Sequence, residues 1–256
     1  RPPRSTHCIS SAASDVYKRQ VGYSAGSQIT TGKFNTLVGG LAGDAITTGT
    51  QNNAFGYNAL GANTSGIRNN GIGHGSLGSN TTGNRNVAVG YAALSSNTTT
   101  HNNTAIGSYA GRNISSGADN TIVGQSAGDQ LTTSSHNVII GSDAGKGANQ
   151  STASRNVIIG YQAIQNQDNP SDQVAIGYRA MANQKDDAYG NVAVGSYALE
   201  CSTNQEVYDN TCIGMYAGQT AENGFGQSVF VGYAAGQYIN GPDYCTGIGY
   251  LSMRGN

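Results

Sequence analysis

Tryptophan is absent from this 256-residue chain, proline occurs only four times, and charged residues make up 11% of it. Thirteen Lys and Arg face 14 Asp and Glu, a net charge of -1. A nucleic-acid partner needs clustered basic residues, so none is expected. No run approaches the 18 or so apolar residues of a membrane span, and the N-terminus lacks the charged-then-apolar layout of a secretory signal. Direct membrane insertion by this segment is therefore not expected. The four cysteines, Cys8, Cys201, Cys212 and Cys245, have no paired ligand spacing, which excludes a zinc motif and leaves the disulfide state of the last three open. His7, His74, His101 and His136 stand in unrelated positions, so no Ser/His/Asp or Cys/His arrangement can be drawn. The string Gly71-Ile72-Gly73-His74-Gly75 lacks the lysine and the strand-to-helix setting of a phosphate loop. No catalytic residue, metal ligand or cofactor is assigned, and the chain is not expected to be an enzyme.

Glycine, by contrast, is abundant at 38 residues, and much of it is periodic. The pattern Asn-x-x-Val/Ile-Gly-x-x-Ala recurs with its glycine at positions 22, 39, 56, 73, 90, 107, 124, 141, 160, 177, 195, 214, 232 and 249. The first eight of these follow one another at a constant step of seventeen. A period that short matches one coil of a β-solenoid, whose units bury their apolar side only by stacking on neighbours. The expected fold is all-β: a parallel β-solenoid of 13 to 14 coils, a rod roughly 60–70 Å long at one strand spacing per coil. Residues 1–20 share none of the repeat's columns and are set aside as a non-repeat leader. Residues 21–256 form one repeat domain, which stops soon after its last glycine and is read as a piece of something longer.

Columns of the repeat are then read as faces. The residue before each glycine is always apolar, and this column (Val38, Val89, Ile106, Val123, Ile140, Ile159, Ile176, Val194, Ile213, Val231) is expected to be the core. Side chains alternate along a strand, so the preceding position should face outward. It holds Leu37, Ala88, Ala105, Ile122, Ile139, Ile158, Ala175, Ala193 and Phe230, an apolar stripe expected to be a subunit interface. Four residues before the glycine stand Asn35, Asn52, Asn69, Asn86, Asn103, Asn120, Asn137, Asn156, Asn191 and Asn210, which can form an amide ladder along the axis. Ala at the third position after the glycine implies a thin interior. Where Gly follows that Ala, Ile or Leu comes three residues later (Gly43 and Ile46); where Leu follows, Asn does (Leu60 and Asn63). Each coil thus supplies one large side chain at this end.

Asn-Val-Ala-Val-Gly-Tyr-Ala-Ala-Leu at 86–94 and Asn-Thr-Ala-Ile-Gly-Ser-Tyr-Ala-Gly at 103–111 resemble the head repeats of YadA-like trimeric autotransporter adhesins. The fuller unit, with Ser-Asn-Thr-Thr before the next Asn, is similar to repeats of bacterial surface fibres and phage tail fibres. The resemblance covers about residues 20–256, although the YadA-type coil is shorter than the unit found here. It implies a left-handed β-roll with two short strands per coil, a homotrimer, and an extracellular place on a bacterial surface or a virion. The function it implies is a structural or adhesive fibre segment attaching to a host surface protein or glycan.

Departures from the regular spacing fall within 146–155, 182–190, 200–209 and 219–227. Insertions in solenoids map to loops on one face, often the binding face. The candidate binding residues are Lys146, Arg155, Lys185, Asp186, Asp187, Tyr189, Glu206, Tyr208, Asp209 and Glu222, with the two tyrosines as platforms for a sugar ring. Ice binding is the alternative, weakened because the Thr pairs of the turns are adjacent and point opposite ways. A glycan hydrolase would need paired carboxylates at catalytic separation, and Asp186-Asp187 is one isolated turn.

Overall fold

A computed structural model describes residues 18–147, 152–184, 188–201, 207–219, 226–239 and 243–255. Among these there is no helix, and fourteen short strands form a single sheet in sequence order. They are β1 (Lys18–Val21), β2 (Asn35–Val38), β3 (Asn53–Phe55), β4 (Asn70–Ile72), β5 (Val87–Val89), β6 (Thr104–Ile106), β7 (Thr121–Val123), β8 (Val138–Ile140), β9 (Val157–Ile159), β10 (Val174–Ile176), β11 (Val192–Val194), β12 (Thr211–Ile213), β13 (Val229–Val231) and β14 (Thr246–Ile248). Neighbours are parallel and in register with the repeat, Thr104 opposite Thr121 and Ile106 opposite Val123. The chain is the β-solenoid its period predicts. Because β1 pairs with β2 from Lys18 onward, Lys18, Arg19 and Gln20 belong to the solenoid and not to the leader.

Each coil has one strand of three or four residues, where the resemblance implies two. The opposite wall is built from turns, which nevertheless bond coil to coil: the Gly43 N–H donates to the Ala59 carbonyl at 2.9 Å and the Leu60 N–H to Ser76 at 3.0 Å. The anchor glycines explain why the turn follows the strand so tightly. Gly107 has φ of 138°, and a Cβ there would lie 2.4 Å from the Gly124 carbonyl oxygen of the next coil. Only glycine takes that backbone and permits that approach.

The asparagine ladder forms as expected. Asn52 is fully buried; its N–H donates to Asn35 Oδ1 at 2.9 Å and its Nδ2 donates to the Gly66 carbonyl at 2.8 Å. The same pair of bonds recurs at Asn69, Asn103 and Asn120. Each amide thus satisfies one turn carbonyl and one strand N–H that the thin interior hides from water. The Thr-Thr-Gly corners add hydroxyl bonds, as from Thr47 Oγ1 to the Thr64 carbonyl at 3.2 Å.

The ladder also reverses the expected faces. An Asn whose side chain points inward four residues before the glycine forces the residue two later inward as well. Leu37, Ala88, Ala105, Ile122, Ile139, Ile158, Ala175, Ala193 and Phe230 are all buried and form the core, not an interface. Val38, Val89, Ile106, Val123, Ile140, Ile159, Ile176, Val194, Ile213 and Val231, expected as the core, are half-buried or exposed on the outer side of the sheet. Adjacent identical residues show it most plainly: Ile139 is 0% exposed and Ile140 38%.

The size balance inside holds, and it extends to the column misplaced from sequence. A Cβ on Gly43 would lie 2.7 Å from Ile46 Cδ1 and 2.9 Å from Leu37 Cδ2, and one on Gly236 would strike the Phe230 ring at 2.4 Å. Most coils with a large residue two before the glycine carry Gly at the fourth position after it (Leu37 with Gly43, Ile122 with Gly128, Phe230 with Gly236), Ile158 with Ile164 being an exception. Most coils with Ala carry Leu or Met (Ala54 with Leu60, Ala88 with Leu94, Ala175 with Met181, Ala193 with Leu199), Ala105 with Gly111 being an exception. These pairs share one layer of a close-packed interior.

Candidate interaction surface

The reversal leaves a broad apolar surface outside. From β5 to β13, both outward positions of every strand are β-branched, as in Val87 and Val89, Thr104 and Ile106, Val138 and Ile140, Val229 and Val231. Ile106 is 41% and Ile213 40% exposed. With about 4.8 Å per coil and three to four residues across, these nine strands cover roughly 500 Å² in one contiguous patch, unlike the scattered exposed apolar residues of a soluble monomer.

Beside it runs a ladder of rings from the turn after the strand. Tyr57, His74 and Tyr91 stack at 5.3 Å per step, and Tyr109 meets Tyr91 edge-on at 5.1 Å. A second run joins Tyr161, Tyr178, Tyr197, Tyr216, Tyr233 and Tyr250 at 5.0–5.9 Å. Most steps are face to face, so the rings cover one another and offer their edges to solvent. Between the two runs polar side chains take over. Arg112 sits 4.9 Å from the Tyr109 ring centroid and pairs with Asp129 at 2.9 Å. Burial raises the Asp129 carboxyl above its usual range, against the lowering pull of Arg112.

Of the candidate binding residues, the structure brings Arg155, Tyr189, Tyr208 and Asp209 to one corner of the coil. Tyr189 and Tyr208 are bridged by their backbones and stack at 5.9 Å, so their faces are turned to each other instead of to a sugar. Arg155 holds Asp172 at 2.6 Å, and this bond keeps the Asp172 carboxyl below its ordinary range. The Asp243 carboxylate raises the Tyr208 phenol. Lys146 lies on a different corner, paired with Asp143 at 2.9 Å. Lys185, Asp186, Asp187, Glu206 and Glu222 lie outside the described residues. Cys201 and Cys212 are buried thiols and Cys245 a partly buried one, with no disulfide among them. Burial raises the Cys212 thiol.

Among the described residues no cluster of His, Cys, Asp or Glu could hold a metal ion, and no helix is long and apolar enough to cross a membrane. Compared with family models, curated proteins and solved structures, the chain matches none. The class that fold and surface define is a parallel β-solenoid repeat protein with one apolar sheet face.

The sequence reading missed this face because it took the bulkiest column for the core. The signal that finds it is the pairing of sizes between the second residue before the glycine and the fourth after it, which only an inward column explains.

Proposed function

We propose that this chain is a structural and adhesive segment of a surface fibre, assembled from copies of itself through the outer sheet face. The observation that supports it is the unbroken β-branched array from β5 to β13, a contiguous patch of roughly 500 Å² that supplies the larger part of the ~800 Å² one partner contributes to a standard interface. Three copies are preferred on the resemblance to YadA-like and tail-fibre repeats, which also supports an extracellular setting and attachment to a host surface protein or glycan. Sedimentation equilibrium of the wild type and of the Ile106→Asp/Ile140→Asp double variant tests the assembly. The wild type should sediment as a trimer, and the variant should remain folded by circular dichroism yet fall to monomer. A monomeric wild type at micromolar concentration refutes it.

Ice binding is the second reading, because the structure supplies the exposed i, i+2 array that the adjacent Thr pairs lack. Hydroxyls are sparse on it, at Thr36, Thr104, Thr121, Thr211 and Thr246, and the other outward column has none. Thermal hysteresis of the purified rod separates this reading from the first.

A further inference from the structure

Axial position follows sequence position in a solenoid, so charge along the chain is charge along the rod. Residues 18–111 hold five cations (Lys18, Arg19, Lys33, Arg68, Arg85) and one acid, Asp44, whereas residues 112–256 hold six cations and twelve acids. The two halves also use their cations differently. Arg112, Lys146, Arg155 and Arg179 each pair with a carboxylate. Among the described residues, no ion pair involves a cation of the first half.

We propose that the corner carrying Lys33, Arg68 and Arg85 binds an anionic polysaccharide of carboxylated or sulfated sugars, laid along the rod axis at one sugar per coil. The site rests on the reading of this segment as an attachment fibre and names the class of ligand it takes. Arg68 and Arg85 occupy the same position of adjacent coils, immediately before the buried Asn69 and Asn86, with φ of 60° and 56°. Their side chains are exposed, as is that of Lys33. The column is a real stack, since Arg68 Nε donates to Gln51 Oε1 in the coil before at 3.0 Å. A guanidinium has five N–H donors, so that bond leaves Arg68 free to grip an anion and holds its stem upright. In the adjoining column, which holds Lys33 and Asn84, His101 is already committed, its Nδ1 accepting the Asn84 N–H at 3.0 Å.

Spacing selects the ligand class. Arg68 and Arg85 are one coil apart, about 4.8 Å, close to the length of one sugar in an extended chain. Duplex nucleic acid carries a charge every ~1.7 Å, nearly three per coil, which at most one cation per coil cannot match. Further along the same corner, the position of Arg68 and Arg85 is taken by Asp119, Asp172 and Asp209 against one cation, Arg155, which Asp172 neutralises, so Asp119 and Asp209 leave this half net acidic there and bound the polymer's footprint.

Binding of polygalacturonate to the full chain, followed by calorimetry from 50 to 200 mM salt, tests the proposal. Two or three contacts on a single-stranded polymer should cost about sevenfold to twentyfold in affinity over that range. The Arg68→Ser/Arg85→Ser variant should lose at least tenfold at low salt and most of the salt slope. The Arg155→Ser/Asp172→Ser control, on the same corner of the acidic half, should bind as wild type. Absence of binding, equal binding by the first variant, or tighter binding to duplex DNA or phosphatidylglycerol vesicles overturns it. Sedimentation of the same variant keeps the two readings apart: a trimer that fails to bind polygalacturonate leaves the fibre and refutes only this ligand.

Discussion

Ile139 and Ile140 are consecutive, identical and on opposite sides of one strand, which makes them a controlled comparison of the two faces. Converting isoleucine to alanine removes about three methylene equivalents, near 2.4 kcal/mol of transfer free energy when the side chain is fully buried. At Ile139, with no exposure, the vacated space is lined by Gly145 and the Ile158 side chain. The added cavity brings the cost to about 2–5 kcal/mol. At Ile140, 38% exposed, transfer alone applies and no cavity closes over the gap, so about 1–1.5 kcal/mol is expected in the monomer. Urea unfolding by circular dichroism at protein concentrations low enough to suppress assembly reads the difference. Because solenoids can lose cooperativity along their length, amide exchange at Val157 and Val174 should accompany it as a local measure. Equal losses at the two positions, or a larger one at Ile140, would refute the assignment of faces.

Three further outcomes follow from the same geometry. Asn103→Ala should cost about 2–4 kcal/mol, since it strands the Asn120 N–H and the Gly117 carbonyl in the interior; faster exchange of the Asn120 amide checks it. Gly107→Ala should disrupt stacking between β6 and β7 more than any alanine substitution on the outer face, because the new Cβ meets a backbone carbonyl that cannot move aside; a wild-type melting curve would contradict it. Carbon-detected titration should place Asp172 below and Asp129 above the ordinary carboxylate range. The stabilisation from Asp172 is then complete above the unfolded pKa, near 3.9, and lost as pH falls through its depressed folded value, whereas ionised Asp129 costs stability that returns as pH falls through its raised one; Asp172→Asn should remove the first effect alone.

The sequence carried the period, the parallel register and the amide ladder, because each depends on a residue type that tolerates few substitutes. Glycine is required where φ is 138°, as at Gly107, and asparagine where both a donor and an acceptor are needed. The order of residues was ambiguous about which apolar column faces inward, because hydrophobicity does not distinguish a core from an outer face suited to a partner. Ile106 and Val123 look more like core than Ala105 does. The thin interior, in which Ala54 and Leu60 share one layer, admits small residues where a globular core would take large ones. The charge segregation was present in the order of residues but hidden by the net value of -1, and it acquires meaning only once order becomes axial position.

The strand bonds of a stacked coil lie along the long axis of the rod, and each coil is joined to the next by a tether one repeat long. Tension applied at the two ends therefore loads the coil junctions in series, and the weakest one opens first. A freed coil releases about 17 × 3.4 Å of chain where it had occupied roughly 5 Å, a gain of about 50 Å. The coils beyond it keep their own ladders intact. Pulled at its two ends, a stack of fourteen strands with thirteen junctions would therefore lengthen in steps, and each freed coil would find the edge of the coil that remains as a template on which to restack.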